Sequence, residues 1–325
     1  MADLSTDFVG LKLRNPLIVS SSGLTDSVEK IQKLEKAGAG AVVLKSLFEE
    51  QILFEAGHLA ESSDYPEADD YIQNYTRSNS VDKYLDLIEQ AGSAVSIPVI
   101  ASINCVSAAE WTDFASKIEE AGADALELNV YFLPAGKDAS SQVYENLYLD
   151  IVEKVKRKIN IPVVVKLGMH FTHLVNLVDL LYHRGVDGIV LFNRFYSPDI
   201  NTTDLKMTAA EIFSSPADLR FSLRWVAIVS AMVDPVHIAG STGVHDGQAI
   251  VKQILAGARA VQVCSAIYKH GAVIIQAMLD DLSAWMDQKD FSGLDAFRGS
   301  MNYKNLPDPQ VYERSQFMKY FSGHH

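Results

Sequence analysis

The chain is predicted to fold as a single α/β (β/α)8 TIM barrel with long insertions after strands 2 and 6, and three observations carry that prediction. Eight short apolar runs rich in Val and Ile recur between Pro16 and Cys264. Each is continuous rather than alternating, as parallel strands covered on both faces require. Amphipathic stretches separate the runs, and "AGAG-AVVLK", "AGAD-ALELN", "RGVD-GIVLF" and "AGAR-AVQVC" repeat one unit of helix stop, short turn and buried strand. Eight such units in 325 residues fit a closed barrel. An open doubly wound sheet would carry G-x-G-x-x-G after its first strand, where this chain reads Ser20-Ser21-Ser22-Gly23-Leu24.

Taken in order, "DFVGLKLRNP" reads as a small hairpin capping the barrel bottom. The strands are read at Pro16–Ser21, Ala41–Ser46, Pro98–Ile103, Ala125–Val130, Pro162–Leu167, Gly188–Phe192, Pro235–Ala239 and Ala260–Cys264. Asp26 with Glu29, and Ser107 with Glu110, have the spacing of a capping box at a helix start. Val81, Tyr84, Leu85 and Ile88 fall on one helical face, as do Val143, Leu147, Ile151 and Val155. Gly38, Gly122 and Gly257 end helices where a left-handed residue is cheap. Leu47–Ser80 and Phe195–Pro216 are too long to be turns, and both follow strands on the side where barrels build sites. Residues 1–290 are thus read as the barrel, with insertions at 48–80 and 195–217, and 291–325 as a C-terminal extension packed on the barrel or partly mobile.

A chain that is 48% hydrophobic and 21% charged can bury a large core. Its net charge of −13 argues against a nucleic-acid partner, which needs a basic surface. Two cysteines, Cys105 and Cys264, fit a reducing compartment rather than a disulfide framework. No apolar run reaches membrane-spanning length, and Asp3 and Asp7 spoil a signal-peptide reading. The expectation is a soluble cytoplasmic protein with neither a membrane nor a nucleic-acid partner. The first insertion carries eight acidic residues between Glu49 and Asp70 with no Lys or Arg, which reads as solvation.

Polar residues gather where the strands stop: Ser20 to Gly23, Lys45-Ser46, Asn104, Asn129, Lys166 and Asn193. Two Lys and three Asn at equivalent positions suit a planar, hydrogen-bonding ring that becomes anionic during reaction. After strands 7 and 8, Gly240-Ser241-Thr242-Gly243 and Cys264-Ser265 lead into helices. Either backbone N–H groups there hold a phosphate or these are ordinary helix caps. No His, Cys or Asp cluster has metal-ligand spacing; His170 and His173 read as exposed or pocket-lining, and His237 as a core histidine.

In order, the strand ends "SSSG", "VVLKS", "LELN", "VVVKL", "LFN" and "AGSTG…VQVCSA" resemble the dihydroorotate dehydrogenase family over residues 4 to about 290. The resemblance implies an FMN-binding barrel that oxidises dihydroorotate to orotate in pyrimidine biosynthesis, in a soluble branch that is commonly homodimeric. It places Ser21, Ser22 and Gly23 beside the flavin and Lys45 and Ser46 next to ring and substrate. Asn129 and Asn193 match the family's asparagines, with Asn104 alongside, and Lys166 matches the lysine near flavin N1 and O2. Ser215, Gly240, Thr242, Gly243, Cys264 and Ser265 fall on the phosphate side.

The substrate side departs from the pattern. Where the family reads L-N-L-S-C-P-N, this chain has Leu128-Asn129-Val130-Tyr131-Phe132-Leu133-Pro134, so Phe132 replaces the proton-accepting Cys or Ser and Pro134 the second Asn. Lys45, Asn129 and the adjacent Tyr131 are the residues assigned to the chemistry, Tyr131 as a substitute base. The expected function is FMN-dependent oxidation of dihydroorotate or a related small cyclic or carbonyl substrate. The alternatives are an FMN-binding homologue with a regulatory or partner-binding role, and a barrel acting on a phosphorylated substrate.

Overall fold

The computed structural model describes residues 2–48, 69–105, 111–130, 132–194 and 197–313. Within them, β1 (Leu17–Val19), β2 (Ala41–Val43), β3 (Val99–Cys105) and β4 (Ala125–Val130) pair in parallel, each with the next. β5 (Val163–Leu167), β6 (Gly188–Leu191), β7 (His237–Ser241) and β8 (Ala260–Val263) continue the ring, and β8 pairs back onto β1. This is the closed (β/α)8 barrel expected. Closure leaves no strand edge among the eight, and the helices cover the outer faces.

Among the described residues the helices are α1 (Val28–Lys36), α2 (Asp69–Ala94), α3 (Trp111–Glu120), α4 (Ser141–Lys156), α5 (Leu174–His183), α6 (Leu219–Met232), α7 (Gly247–Leu255), α8 (Ser265–His270), α9 (Val273–Gln288) and the short α10 (Gln310–Glu313). Gly38 and Gly257 follow α1 and α7 with φ of +108° and +113°, as the stop signals require. Three details differ from the sequence reading. Ser27, not Asp26, is the N-cap of α1, and Asp26 pairs instead with Lys30 one turn on, at 2.7 Å. The stretch read as a loop to Ser80 is already α2 from Asp69, and Leu47–Phe48 adds a short strand to β3. The first half of α2 lacks an apolar stripe, which hides it from a periodicity reading. The second insertion holds an exposed antiparallel hairpin, Pro198–Asn201 with Lys206–Ala209. The Ser107–Glu110 pattern and the acidic residues 49–68 lie outside the described residues. Phe291 and Phe297 of the extension pack with Trp285, and Leu294 and Phe297 are buried.

Inside the barrel, two layers of opposite character stack on each other. Ile18, Ile100, Ala125, Val164, Ala239 and Ala260 form an apolar layer, closed from below by Phe8, Val9 and Leu13 of the N-terminal hairpin. Gly188 leaves the space that Val9 occupies: a Cβ there would lie 2.6 Å from Val9 Cγ1. Side chains on a strand return to the same face every second residue, so on six of the eight strands the next inward positions are Ser20, Ser102, Glu127, Lys166, Ser241 and Gln262. All six are buried and all are polar. The barrel is thus dry at its bottom and hydrogen-bonding at its top.

His237 ties the plug to β7 by accepting the Val9 N–H at Nδ1, 2.7 Å away, so that nitrogen must be unprotonated. Burial, then the charge of Arg259, pull its pKa down to about 4 against the opposing pull of Asp7. An unfolded histidine titrates near 6.5, so the folded state binds fewer protons between those values. The stabilisation is therefore complete above about pH 6.5 and is lost as pH falls toward 4. Its size is about 3 kcal/mol, at roughly 1.4 kcal/mol for each pKa unit. His237→Gln, which can still accept the Val9 N–H, is expected to flatten this acid limb of stability in urea unfolding between pH 7 and 4. An unchanged slope refutes the assignment.

Candidate active site at the C-terminal mouth of the barrel

A cavity of about 340 Å³ opens at the C-terminal ends of β1, β5, β6, β7 and β8, within the size range of small-molecule sites. Its floor is the polar layer. Lys166 is 5% exposed, and its ammonium donates to Gln262 Oε1 at 2.7 Å and Ser20 Oγ at 2.9 Å. Glu127 Oε1 lies 3.4 Å from the same ammonium, and Gln262 Nε2 donates to Glu127 Oε2. Glu127 and Gln262 were missed by a reading confined to strand ends, although each is a polar residue inside an apolar run.

On the side of β4 and β6, Asn193 Nδ2 donates to Asn129 Oδ1 at 2.6 Å. Asn104, Asn129 and Lys166 are register partners across β3, β4 and β5, which makes them neighbours from strand to strand. Ser21 Oγ and Ser46 Oγ lie 3.0 Å apart, and Ser46 Oγ lies 2.8 Å from Ser102 Oγ. Tyr84 OH closes this chain by donating to the Ser102 carbonyl and accepting its N–H, and burial pushes the phenol pKa up. Ser46 is thereby anchored in the wall, while the Lys45 side chain is exposed and does not line the cavity.

The opposite wall joins Ser214, Thr242, Gly243 and Ser265. Ser214 N donates to Ser265 Oγ at 3.0 Å, and Ser214 Oγ is 3.0 Å from His245 Nε2. Burial, then the charge of Lys269, lower the His245 pKa. Gly243 has φ +80° and lies so close to the start of α6 that a Cβ would sit 2.1 Å from Leu219 N. The start of α7 is an ordinary cap: Asp246 accepts the Ala249 N–H at 2.7 Å. Arg194 binds this wall down, donating to the Glu211 and Ile212 carbonyls and to Asp218.

The expected site residues Ser21, Ser22, Lys166, Asn193, Thr242, Gly243, Cys264 and Ser265 all line this one cavity. Asn129 and Ser46 join through hydrogen bonds to lining residues, and Asn104 through register alone. Besides Lys45, three expected residues are not part of the cavity lining. Gly240 faces outward, where a Cβ would meet the Gln253 side chain at 2.6 Å, so its smallness serves helix packing. Ser215 caps the turn at Pro216–Asp218, accepting there and donating to Asp218. Gly23 lies beneath the hydroxyl of Tyr268, 3.0 Å from where its Cβ would stand. Tyr131 lies outside the described residues. Burial raises the Cys264 pKa, which keeps it a thiol at neutral pH and unsuited to accept a proton. Phe132 packs edge-on to Tyr148, at 5.9 Å, and Tyr148 packs edge-on to Phe171, at 5.3 Å.

Among the described residues, no group of three His, Cys, Asp or Glu side chains could hold a metal ion, and no helix is long and apolar enough to cross a membrane. The family model described as dihydroorotate dehydrogenase matches residues 3–286. The catalytic subunit of dihydroorotate dehydrogenase B (NAD(+)) from Thermoplasma volcanium is 29% identical over 317 residues, covering 92% of this chain and 98% of that one. Its counterpart from Methanothermobacter thermautotrophicus is 30% identical over 303 residues, 91% of this chain and 97% of that one. A putative dihydroorotate dehydrogenase A (fumarate) from Aquifex aeolicus is 27% identical over 301 residues, 90% of this chain and 97% of that one. A matching barrel, a buried lysine at its mouth and a match to the family model over most of the chain agree: the chain is an oxidoreductase belonging to the dihydroorotate dehydrogenase family.

Proposed function

We propose that this chain binds FMN in the cavity and oxidises the CH–CH bond of dihydroorotate or a related small cyclic substrate, a step of pyrimidine biosynthesis if dihydroorotate is used. The observation that carries the reading is the Lys166 ammonium, buried at the cavity floor between named acceptors. The donor set fits the cofactor. One end offers an ammonium and two amides for a polar ring edge, and the other offers serine hydroxyls and a close backbone approach at Gly243 for a phosphate.

Bound FMN would supply a two-electron hydride acceptor at N5. Lys166 places fixed positive charge where negative charge develops, which needs no reorganisation at the moment of reaction. Asn193 lines the cavity, and its hydrogen bond to Asn129 Oδ1 ties the two amides together on that wall. The Ser21–Ser46–Ser102 chain holds the β1 and β2 ends in one geometry. Tyr131 is the proposed proton acceptor, with Lys45 at the rim on the substrate side. The relatives' names, which specify a catalytic subunit, support a partner subunit for this chain, alongside the proposed homodimer and cytoplasmic location.

The test is a visible spectrum of the purified protein, recorded anaerobically while dihydroorotate is added. Flavin bands that bleach are expected, and a colourless protein that takes up no FMN overturns the reading. Phe132 favours a second one, an FMN-binding homologue without dihydroorotate turnover, because an aromatic ring packed against Tyr148 accepts no proton. Bands that persist support that second reading. Phe132→Cys is then expected to raise the rate of flavin reduction by dihydroorotate at least tenfold, since a positioned base contributes roughly 10²–10⁴-fold. Stopped-flow absorbance checks it, and an unchanged rate places the proton acceptor elsewhere.

A further inference from the structure

The floor of the cavity contains more than a lysine. Glu127, Lys166 and Gln262 are 1%, 5% and 2% exposed, and none of their polar side-chain atoms lacks a partner. Two short contacts, to Gln262 and Ser20, fix where the ammonium points, while the 3.4 Å approach of Glu127 chiefly balances its charge. Gln262 links both: its oxygen accepts from Lys166 and its nitrogen donates to Glu127. Burying a carboxylate is costly, and nothing in barrel closure requires one at this level, where Ser102 and Ser241 occupy equivalent positions.

We propose that Glu127 and Gln262 are positioning residues that act through Lys166. Gln262 aims the ammonium, and Glu127 holds the net charge of the floor near zero, so that together they set how readily a flavin on that floor is reduced. This inference rests on the FMN reading above. An uncompensated ammonium favours the anionic reduced ring more strongly than a paired one does, so removing the carboxylate raises the reduction potential. Restoring it on the other side of the hydrogen bond lowers it again.

The experiment uses the full chain loaded with FMN, and reads the flavin midpoint potential by equilibration with a reference dye. Glu127→Gln keeps size and hydrogen bonding and removes the charge. It is expected to shift the reduction equilibrium at least tenfold toward the reduced form, about 30 mV for a two-electron couple. The double variant Glu127→Gln with Gln262→Glu moves the carboxylate next to Lys166 and is expected to return the potential to the parental value. If the single variant fails to fold while the double folds with the parental potential, the charge assignment is supported equally. A single variant with the parental potential, or a double variant as altered as the single, overturns it and leaves both residues a packing role. A parent that takes up no FMN instead refutes the underlying reading, which keeps the two failures apart.

Discussion

Lys166→Met is expected to lower flavin reduction by dihydroorotate at least 100-fold and the free energy of unfolding by about 3–5 kcal/mol. The first figure follows from removing one preorganised electrostatic group, which typically costs 10²–10³-fold. The second follows from leaving Glu127, 1% exposed, without the cation it faces. The two effects separate in a double variant. Adding Glu127→Gln removes the uncompensated charge and keeps an acceptor for Gln262 Nε2, and is expected to restore most of the stability, while the rate stays low. Urea unfolding and anaerobic stopped-flow absorbance measure them independently. A Lys166→Met protein that is reduced at the parental rate removes Lys166 from the chemistry.

Gly243→Ala is expected to weaken FMN binding at least tenfold and to destabilise the fold by about 2–5 kcal/mol. At φ +80° an alanine adopts the left-handed region at a cost of roughly 1–2 kcal/mol. Its Cβ would also stand 2.1 Å from Leu219 N and 2.7 Å from Asp218 C, which are backbone atoms and not a side chain that can swing away. Overpacking of that kind typically costs 1–3 kcal/mol. Relief requires α6 to shift its first turn, and Asp218 with it, which breaks the contact to Arg194 that binds the wall of the cavity. Fluorescence titration of the apoprotein with FMN reads the affinity, and thermal unfolding reads the stability. Parental values in both would show that the wall yields at no cost.

The eight strands were legible because continuous apolar runs recur along the chain, four of them three residues after a glycine stop, as Gly38 and Gly257 show by their positive φ. The cavity wall was half legible for the same reason: polar residues at strand ends stand out against apolar strands. What the strand-end reading passed over is the period of two. Carried back along β4 and β8, it puts Glu127 and Gln262 inside the barrel below Asn129 and Cys264, as the structure does. Carried along β7, it turns Gly240 outward between inward Ala239 and Ser241, which is where the structure has it. From inward Val43 the same period would turn Lys45 inward as well, but two residues past the end of β2 its side chain is exposed and outside the cavity lining. The first half of α2 was also hidden, since a helix without an apolar stripe has no periodic signature.

The plug under the barrel couples segments remote in sequence in time as well as in space. Val9 meets His237 across 228 residues, Thr6 donates to the Arg259 carbonyl across 253, and Asp3 N donates to the Ser292 carbonyl. Contacts this remote in sequence bring a large loop-closure cost before any packing gain. During synthesis the plug segment therefore waits for strands made more than 200 residues later, its Phe8 and Val9 without their final neighbours until β7 and β8 exist. The barrel bottom is begun well before β7 and β8 are made and is finished only after them, so its apolar plug needs protection while those strands are missing.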